Sequence, residues 1–296
     1  MPGDPTPAPR ATPRRLGVMA ALHDELRAFL VQAARQAQTQ AGQSGSGVPL
    51  APETAGAGRP GFVPGTRTLA GRTFHSLRWQ DLELVVVLSG IGKVATATTA
   101  TLLADRFGVE AMVFTGVAGG LGAALQVGDV VVADALLQHD MDASPLFARH
   151  EVPLTGLTRF ASDPALSNPL YQAAHGMLSA ASHGVAPAVL QRFGLAQPRV
   201  HRGLVVSGDR FVATAGERER LMAAVPDALA VEMEGAAVAQ VCHAFGLPLA
   251  VVRTVSDRAD DSAAVDFPAF TAEVASPYSA CVLGAWLNGL GREGRV

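Results

Sequence analysis

ALAVEMEGAAVAQVCHAFGLPLAVVRTVSD, residues 228–257, decides the fold. A short apolar run, Ala228–Val231, ends at two acids, Glu232 and Glu234, where a small-residue helical pattern begins. A second apolar run, Leu247 to Val252, leads to a third acid, Asp257. Apolar runs alternating with helical patterns mark an α/β chain. Carboxylates at the ends of buried strands cost free energy unless they are paired, hydrogen-bonded or used. In open α/β sheets, ligands bind outside the carboxyl ends of the strands, where such acids would sit. On its own the set also has a plainer reading, in which one acid caps a helix and another pairs with Arg253.

Outward from this segment the alternation continues. Strand-like runs are expected at Arg15–Ala21, Arg72–Trp79, Leu82–Leu88, Ala111–Thr115, Asp129–Ala133, His201–Ser207 and Leu249–Val255. Helical patterns cover 23–40, 94–107, 169–182, 217–224, 233–245 and 269–290. The fold class that follows is α/β, with a mixed, mostly parallel sheet flanked by helices on both faces. Residues 1–14 read as a disordered tail and 15–292 as one domain. That domain is interrupted at about 41–66 by AGQSGSGVPLAPETAGAGRPGFVPGT, a flexible low-complexity insertion by composition. Residues 144–163 read as irregular.

Composition narrows the function. Of the 296 residues 49% are hydrophobic and 17% charged, which suits a globular chain with a large core. The formal charge of -3, with no basic stripe, argues against nucleic acid as a partner. Cys242 and Cys281 fall in helical patterns with no metal or disulfide spacing, as expected of reduced core residues in a cytoplasmic protein. No run approaches the ~18 apolar residues that span a bilayer. The N-terminus lacks the apolar core of a signal peptide.

Two glycine segments, SGIGKV (89–94) and TGVAGGLG (115–122), each follow an apolar run. Neither matches the dinucleotide or phosphate-loop patterns. Glycine there permits close backbone approach to a ligand, and tight strand–helix packing explains it about as well. His139 and Asp140 lack further ligands at metal spacing, so a structural or subunit-contact role is expected and no metal is called for.

Seven segments in order make the pattern specific. They are LGVMAALHDEL (16–26), LSGIGKVATA (88–97), TGVAGGLGAALQVGDVVVAD (115–134), QHDMDASP (138–145), GLVVSGDRFV (203–212), AVEMEGAAVAQVCHAFGLP (230–248) and VVRTVSDRAD (251–260). Together they closely resemble the 5′-methylthioadenosine/S-adenosylhomocysteine nucleosidases of the nucleoside phosphorylase superfamily. The resemblance implies a single-domain three-layer sandwich around a twisted sheet, a purine nucleoside substrate, no cofactor and a homodimer. It implies that Glu25 activates water and that Asp257 protonates the leaving purine. Glu234 would grip the ribose hydroxyls with Met233 packed beside the sugar. Phe211 and Val212 would stack on the base and offer it backbone hydrogen bonds, and Phe267 would line the 5′ pocket. Val117, Ala118 and Gly119 fall on the ligand-facing turn, with Glu232, Ser256 and Arg253 supporting the acids. Leu146 and Phe147 would enter the partner subunit's 5′ pocket.

Cleaving an N-glycosidic bond leaves a cation-like ribosyl group and an anionic purine, so it needs an acid at one end and a base at the other. Read singly, Glu25 is better explained as a first-turn acid favoured by the helix dipole. Phe211, Phe267 and Met233 would each be read as core. The family position at Val117 is often serine, which leaves the 5′ substituent open. Rival readings are a hydrolase of another purine nucleoside, such as a futalosine-type compound, a phosphorylase on the same fold, and a non-catalytic nucleoside sensor. The phosphorylase lacks its usual arginine before GVAGGLG, with only Lys93 nearby, and the sensor would have no need of three acids.

Overall fold

A computed structural model describes residues 13–44, 62–180, 184–259 and 267–293. The strands are β1 (Arg15–Ala20), β2 (Gly65–Leu69), β3 (Arg72–Trp79), β4 (Leu82–Leu88), β5 (Ala111–Gly120), β6 (Val130–Gln138), β7 (Phe160–Ala161), β8 (Val200–Ser207), β9 (Ala228–Glu232) and β10 (Leu249–Asp257). The helices are α1 (His23–Ser44), α2 (Lys93–Arg106), α3 (Pro164–Ser179), α4 (Pro187–Arg192), α5 (Ala215–Ala224), α6 (Gly235–Phe245), α7 (Phe267–Phe270) and α8 (Ser276–Glu293). A π-helical turn, Thr271–Ala275, joins the last two.

All the described strands belong to one sheet, in the order β10-β6-β8-β9-β5-β1-β4-β3-β2, with β7 on β6. β5 also pairs with β10, so β5, β10, β6, β8 and β9 form a closed ring. The sheet is mixed, as expected, but it is not the open central layer of the expected three-layer sandwich. Its parallel pairings, β1–β4, β1–β5, β5–β10, β6–β8 and β8–β9, hold most of the paired residues, while β5–β9, β6–β10, the β2–β3–β4 extension and β7 on β6 are antiparallel. The period of two says which residues face the core, not which strands meet, so closure was invisible in the sequence.

Alternation along the strands sorts the core into two layers. Leu16, Val18 and Ala20 of β1 and Val130 and Val132 of β6 pack with α1, α3 and α8. Met19 of β1, Val131 and Ala133 of β6 and Val251 of β10 pack on the other face with α2 and α6. Phe29 of α1 stacks on Trp79 of β3 at 5.8 Å between ring centroids, and both are fully buried.

Several boundaries differ from the sequence reading. The glycine segment 115–122 is mostly strand, since β5 runs to Gly120 and pairs on both sides. Cross-strand hydrogen bonds there outweigh the poor strand propensity of glycine. α3 starts at Pro164, five residues early, because Asp163 caps it by accepting from the Ala165 N–H. β7 and α4 went unread. Arg14, assigned to the tail, donates its N–H to Glu110 and accepts from the Glu83 N–H. α1 and β2 trim the insertion at both ends, and its middle, 45–61, lies outside the described residues, as does most of the tail. Among the described residues no helix is long and apolar enough to cross a membrane.

Phe29→Ala should cost about 3–5 kcal/mol, since the stack leaves a cavity between α1 and β3 that rigid neighbours cannot fill. Urea denaturation monitored by circular dichroism measures this. A loss under about 1 kcal/mol would mean that the layer collapses around the gap.

Candidate active site

The carboxyl ends of β1, β5, β9 and β10 surround a pocket lined by Glu25, Val117, Ala118, Gly119, Phe211, Val212, Glu232, Met233, Glu234, Ser256, Asp257 and Phe267. Every substrate-binding or catalytic residue expected from the sequence lines it except Arg253, which lies behind its wall. Leu146 and Phe147 are not among the lining residues, and Leu146 is 84% exposed. Ala21, Leu22, Ile91, Arg210 and Val231 also line the pocket and were missed. As ordinary apolar residues and one surface arginine, they carried no signal by type.

Glu25 lies in the first turn of α1, just after β1 ends. One oxygen accepts from the Leu22 N–H at 2.7 Å and the other from the Val117 N–H at 3.0 Å. The second bond ties the start of α1 to the middle of β5. A Cβ on Gly116 would lie 2.7 Å from that carboxylate, so glycine is what lets Glu25 approach the strand. The glycine segment therefore accommodates one of the protein's own acids. Burial pushes the Glu25 carboxyl above its ordinary value, while Arg253 and the backbone donors pull it back only in part.

Asp257 sits at the far end of β10, where the register against β5 shifts between Val255 and Asp257. Irregularities of this kind bend a strand and re-aim its side chains, here at the rim of the pocket. One Asp257 oxygen accepts from the Ala259 N–H at 2.8 Å, and the other accepts from the Ser256 hydroxyl at 2.7 Å.

The two acids of EMEG have separate duties. Glu232 reaches the pocket wall, but its oxygens are already engaged. They accept from the Glu234 and Gly235 N–H groups, from the Ser207 hydroxyl and from Arg253 Nη2 at 2.7 Å. Glu232 thus anchors the N-terminus of α6 and neutralises a cation that is 1% exposed. The plain reading gave helix capping to one acid and the pairing with Arg253 to another, whereas Glu232 alone does both. Glu234 has one oxygen on the Gly92 N–H at 2.8 Å and the rest of its carboxylate on the pocket. Burial and the neighbouring Glu232 raise it to about 8.

Phe211 and Phe267 meet edge-to-face at 6.1 Å. The single cation among the described lining residues, Arg210, is paired with Glu217 of α5. The pocket thus offers apolar and aromatic walls and three acids, Glu25, Glu234 and Asp257, that reach it from different elements.

Known proteins share this fold. Residues 17–287 match the family model for the phosphorylase superfamily. A 5′-methylthioadenosine/S-adenosylhomocysteine nucleosidase of Chromohalobacter salexigens is 37% identical over 227 residues, covering 76% of this chain and 88% of that protein. The chain belongs to this nucleosidase family. The Streptococcus pyogenes S-adenosylhomocysteine nucleosidase, solved with 5-methylthiotubericidin, superposes with a TM-score of 0.71 at 28% identity, covering 93% of this chain and 97% of that one. The futalosine hydrolase of Helicobacter pylori gives a TM-score of 0.72 at 28% identity, covering 93% and 98%. The shared fold therefore extends to nucleosidases acting on more than one 5′ group.

Glu232→Gln should destabilise the protein by about 3–5 kcal/mol, because it leaves the buried Arg253 charge unpaired. Glu234→Gln should be near neutral, since it removes a carboxylate that burial already disfavours. Denaturant midpoints compare the two, and equal costs would refute the division of labour.

Proposed function

We propose that this protein hydrolyses the N-glycosidic bond of 5′-methylthioadenosine and S-adenosylhomocysteine, releasing adenine and the thioribose product. The observation that carries the reading is three buried acids lining one largely apolar pocket from separate elements, Glu25 on α1, Asp257 at the end of β10 and Glu234 at the start of α6. Glu25, fixed by two backbone donors, takes the proton from an attacking water. Asp257 gives its proton to the departing purine. The Ser256 hydroxyl, which donates to Asp257 at 2.7 Å, stabilises the carboxylate left once that proton is given up. Glu234 accepts hydrogen bonds from the ribose hydroxyls, and a cation-like ribosyl group beside it favours its carboxylate form against the burial that raises it to about 8. Phe211 and Val212 receive the base, Met233 packs beside the sugar, and Phe267 with Ile91 and Val117 receives the 5′ thioether. The valine leaves this end apolar, which suits sulfur. No cofactor is required.

Water is the better nucleophile than phosphate. A phosphate dianion needs free cationic donors. Arg253 is committed to Glu232, and Arg210 to Glu217. We further propose that residues 15–292 act as a single cytoplasmic domain, with homodimers placing Leu146 and Phe147 at the partner's 5′ end. The futalosine-type alternative remains as a second reading because the solved futalosine hydrolase superposes as well as the nucleosidase does. Its discriminating test is the ratio of kcat/KM for 5′-methylthioadenosine and futalosine.

Adenine release, followed by chromatography without phosphate, tests the reaction. Asp257→Asn and Glu25→Gln should each lower kcat by about 10²–10⁴-fold and leave adenine binding intact. Unchanged turnover in either would remove that residue from the mechanism. The base form of Glu25 is required and burial raises its pKa, so kcat/KM should fall as pH drops through a value above the ordinary 4.5. A rate that stays flat down to about pH 5 would overturn this assignment.

A further inference from the structure

Outside the pocket, three charged side chains join the loops that form it. The Gly92 N–H donates to Glu234, and the next N–H, of Lys93, donates to Asp209 Oδ1 at 2.8 Å. Lys93 Nζ donates to Asp140 Oδ1 at 2.5 Å and lies 3.9 Å from Asp209 Oδ2. The Asp209 N–H closes the ring by donating to the second Asp140 oxygen at 2.9 Å. None of the three lines the pocket. Asp209 nevertheless stands two residues before Phe211, and Lys93 follows the residue that holds Glu234.

We propose that Lys93, Asp140 and Asp209 form a positioning clasp that fixes the base-receiving loop, residues 208–212, relative to Glu234, and so sets nucleoside affinity from outside the pocket. The inference rests on the nucleosidase reading and extends it to residues that touch no substrate. A surface ion pair alone would be a weak basis. Here the Lys93 side chain is mostly buried, at 16% exposure, and two of the four links are backbone N–H donors whose positions are set by the fold.

A further contact braces the same loop. A Cβ on Gly208 would lie 2.3 Å from His139 Nε2, so the imidazole occupies the space above that glycine. The His139 N–H donates to the Ser207 carbonyl, and the Gly208 N–H donates to the Glu232 carbonyl. Burial raises the Asp140 carboxyl, but Lys93 and the Asp209 N–H outweigh it and leave the group below its ordinary value. Asp140 therefore stays ionised and keeps both links.

A loop held in its bound geometry loses little freedom when the base arrives, whereas a loosened loop must be ordered by the ligand. Loss of the clasp should therefore appear in affinity rather than in the chemical step. The test uses the full chain carrying Asp140→Ala or Lys93→Met, with Lys93→Arg as the conservative control. Calorimetry with adenine as the probe gives the dissociation constant, and 5′-methylthioadenosine hydrolysis gives KM and kcat. In either disruptive variant both the dissociation constant and KM should rise about fivefold, with kcat within about twofold of the parent. Lys93→Arg should recover part of the loss. A purely structural role would lower the denaturation midpoint and leave KM and adenine binding where they were, which overturns the clasp. If Asp140→Ala does not fold, Lys93→Met decides the matter. A parent protein that neither binds adenine nor hydrolyses the nucleoside defeats the nucleosidase reading and the clasp with it. A parent that binds adenine, with both variants matching it, defeats the clasp alone.

Discussion

The guanidinium of Arg253, buried against Glu232 and over the Phe114 ring at 4.0 Å, is the interaction on which the site depends. Its position follows from register, because pairing of β10 with β5 places Arg253 opposite Gly116. That is where the Glu25 carboxylate approaches the strand. One cation thus stands among three buried carboxylates, Glu25, Glu232 and Glu234. With all three ionised the cluster would carry excess negative charge in a low-dielectric setting, which is expensive. The geometry assigns the cation to Glu232, and Glu25 and Glu234 are left with raised proton affinity.

That imbalance matches what glycosidic cleavage requires. In the proposed mechanism a cation-like ribosyl group in this pocket would supply the positive charge that the protein leaves out, so these acids would become more favourable as the bond breaks. Interactions that strengthen in the transition state raise the rate, whereas equal binding of ground and transition states does not. Burial also keeps Glu25 a better base than a solvated carboxylate would be, without another residue to deprotonate it. Glu232 contributes indirectly by taking up the arginine and fixing the N-terminus of α6, which holds Glu234 at the mouth of the pocket.

The remaining precision comes from loops held by polar contacts. The turn at Gly92 and Lys93 links Glu234 to the loop that carries Asp209 and Phe211 through consecutive N–H groups. Asp140, at the end of β6, joins them from a third direction. A pocket assembled from the ends of β1, β5, β9 and β10 has no continuous backbone of its own. Cross-links between its loops are what make it one surface.

The sequence by itself determined the α/β alternation and, through seven ordered segments, the family and most of the residues that line the pocket. These were legible because apolar periodicity and acids at strand ends are local properties of the chain. Tertiary structure alone decided that the sheet closes between β5 and β10, that Glu232 is taken up by Arg253 and backbone donors while Glu234 faces the pocket, and that Arg253 stands behind the pocket wall. Two glutamates separated by one residue look alike in a sequence. What distinguishes them is which donors approach each one, and those donors, Ser207, Arg253 and the Gly92 N–H, come from segments far apart in the chain. The same limit hid the Lys93–Asp140–Asp209 ring, whose members are unremarkable surface charges until folding brings three loop ends together.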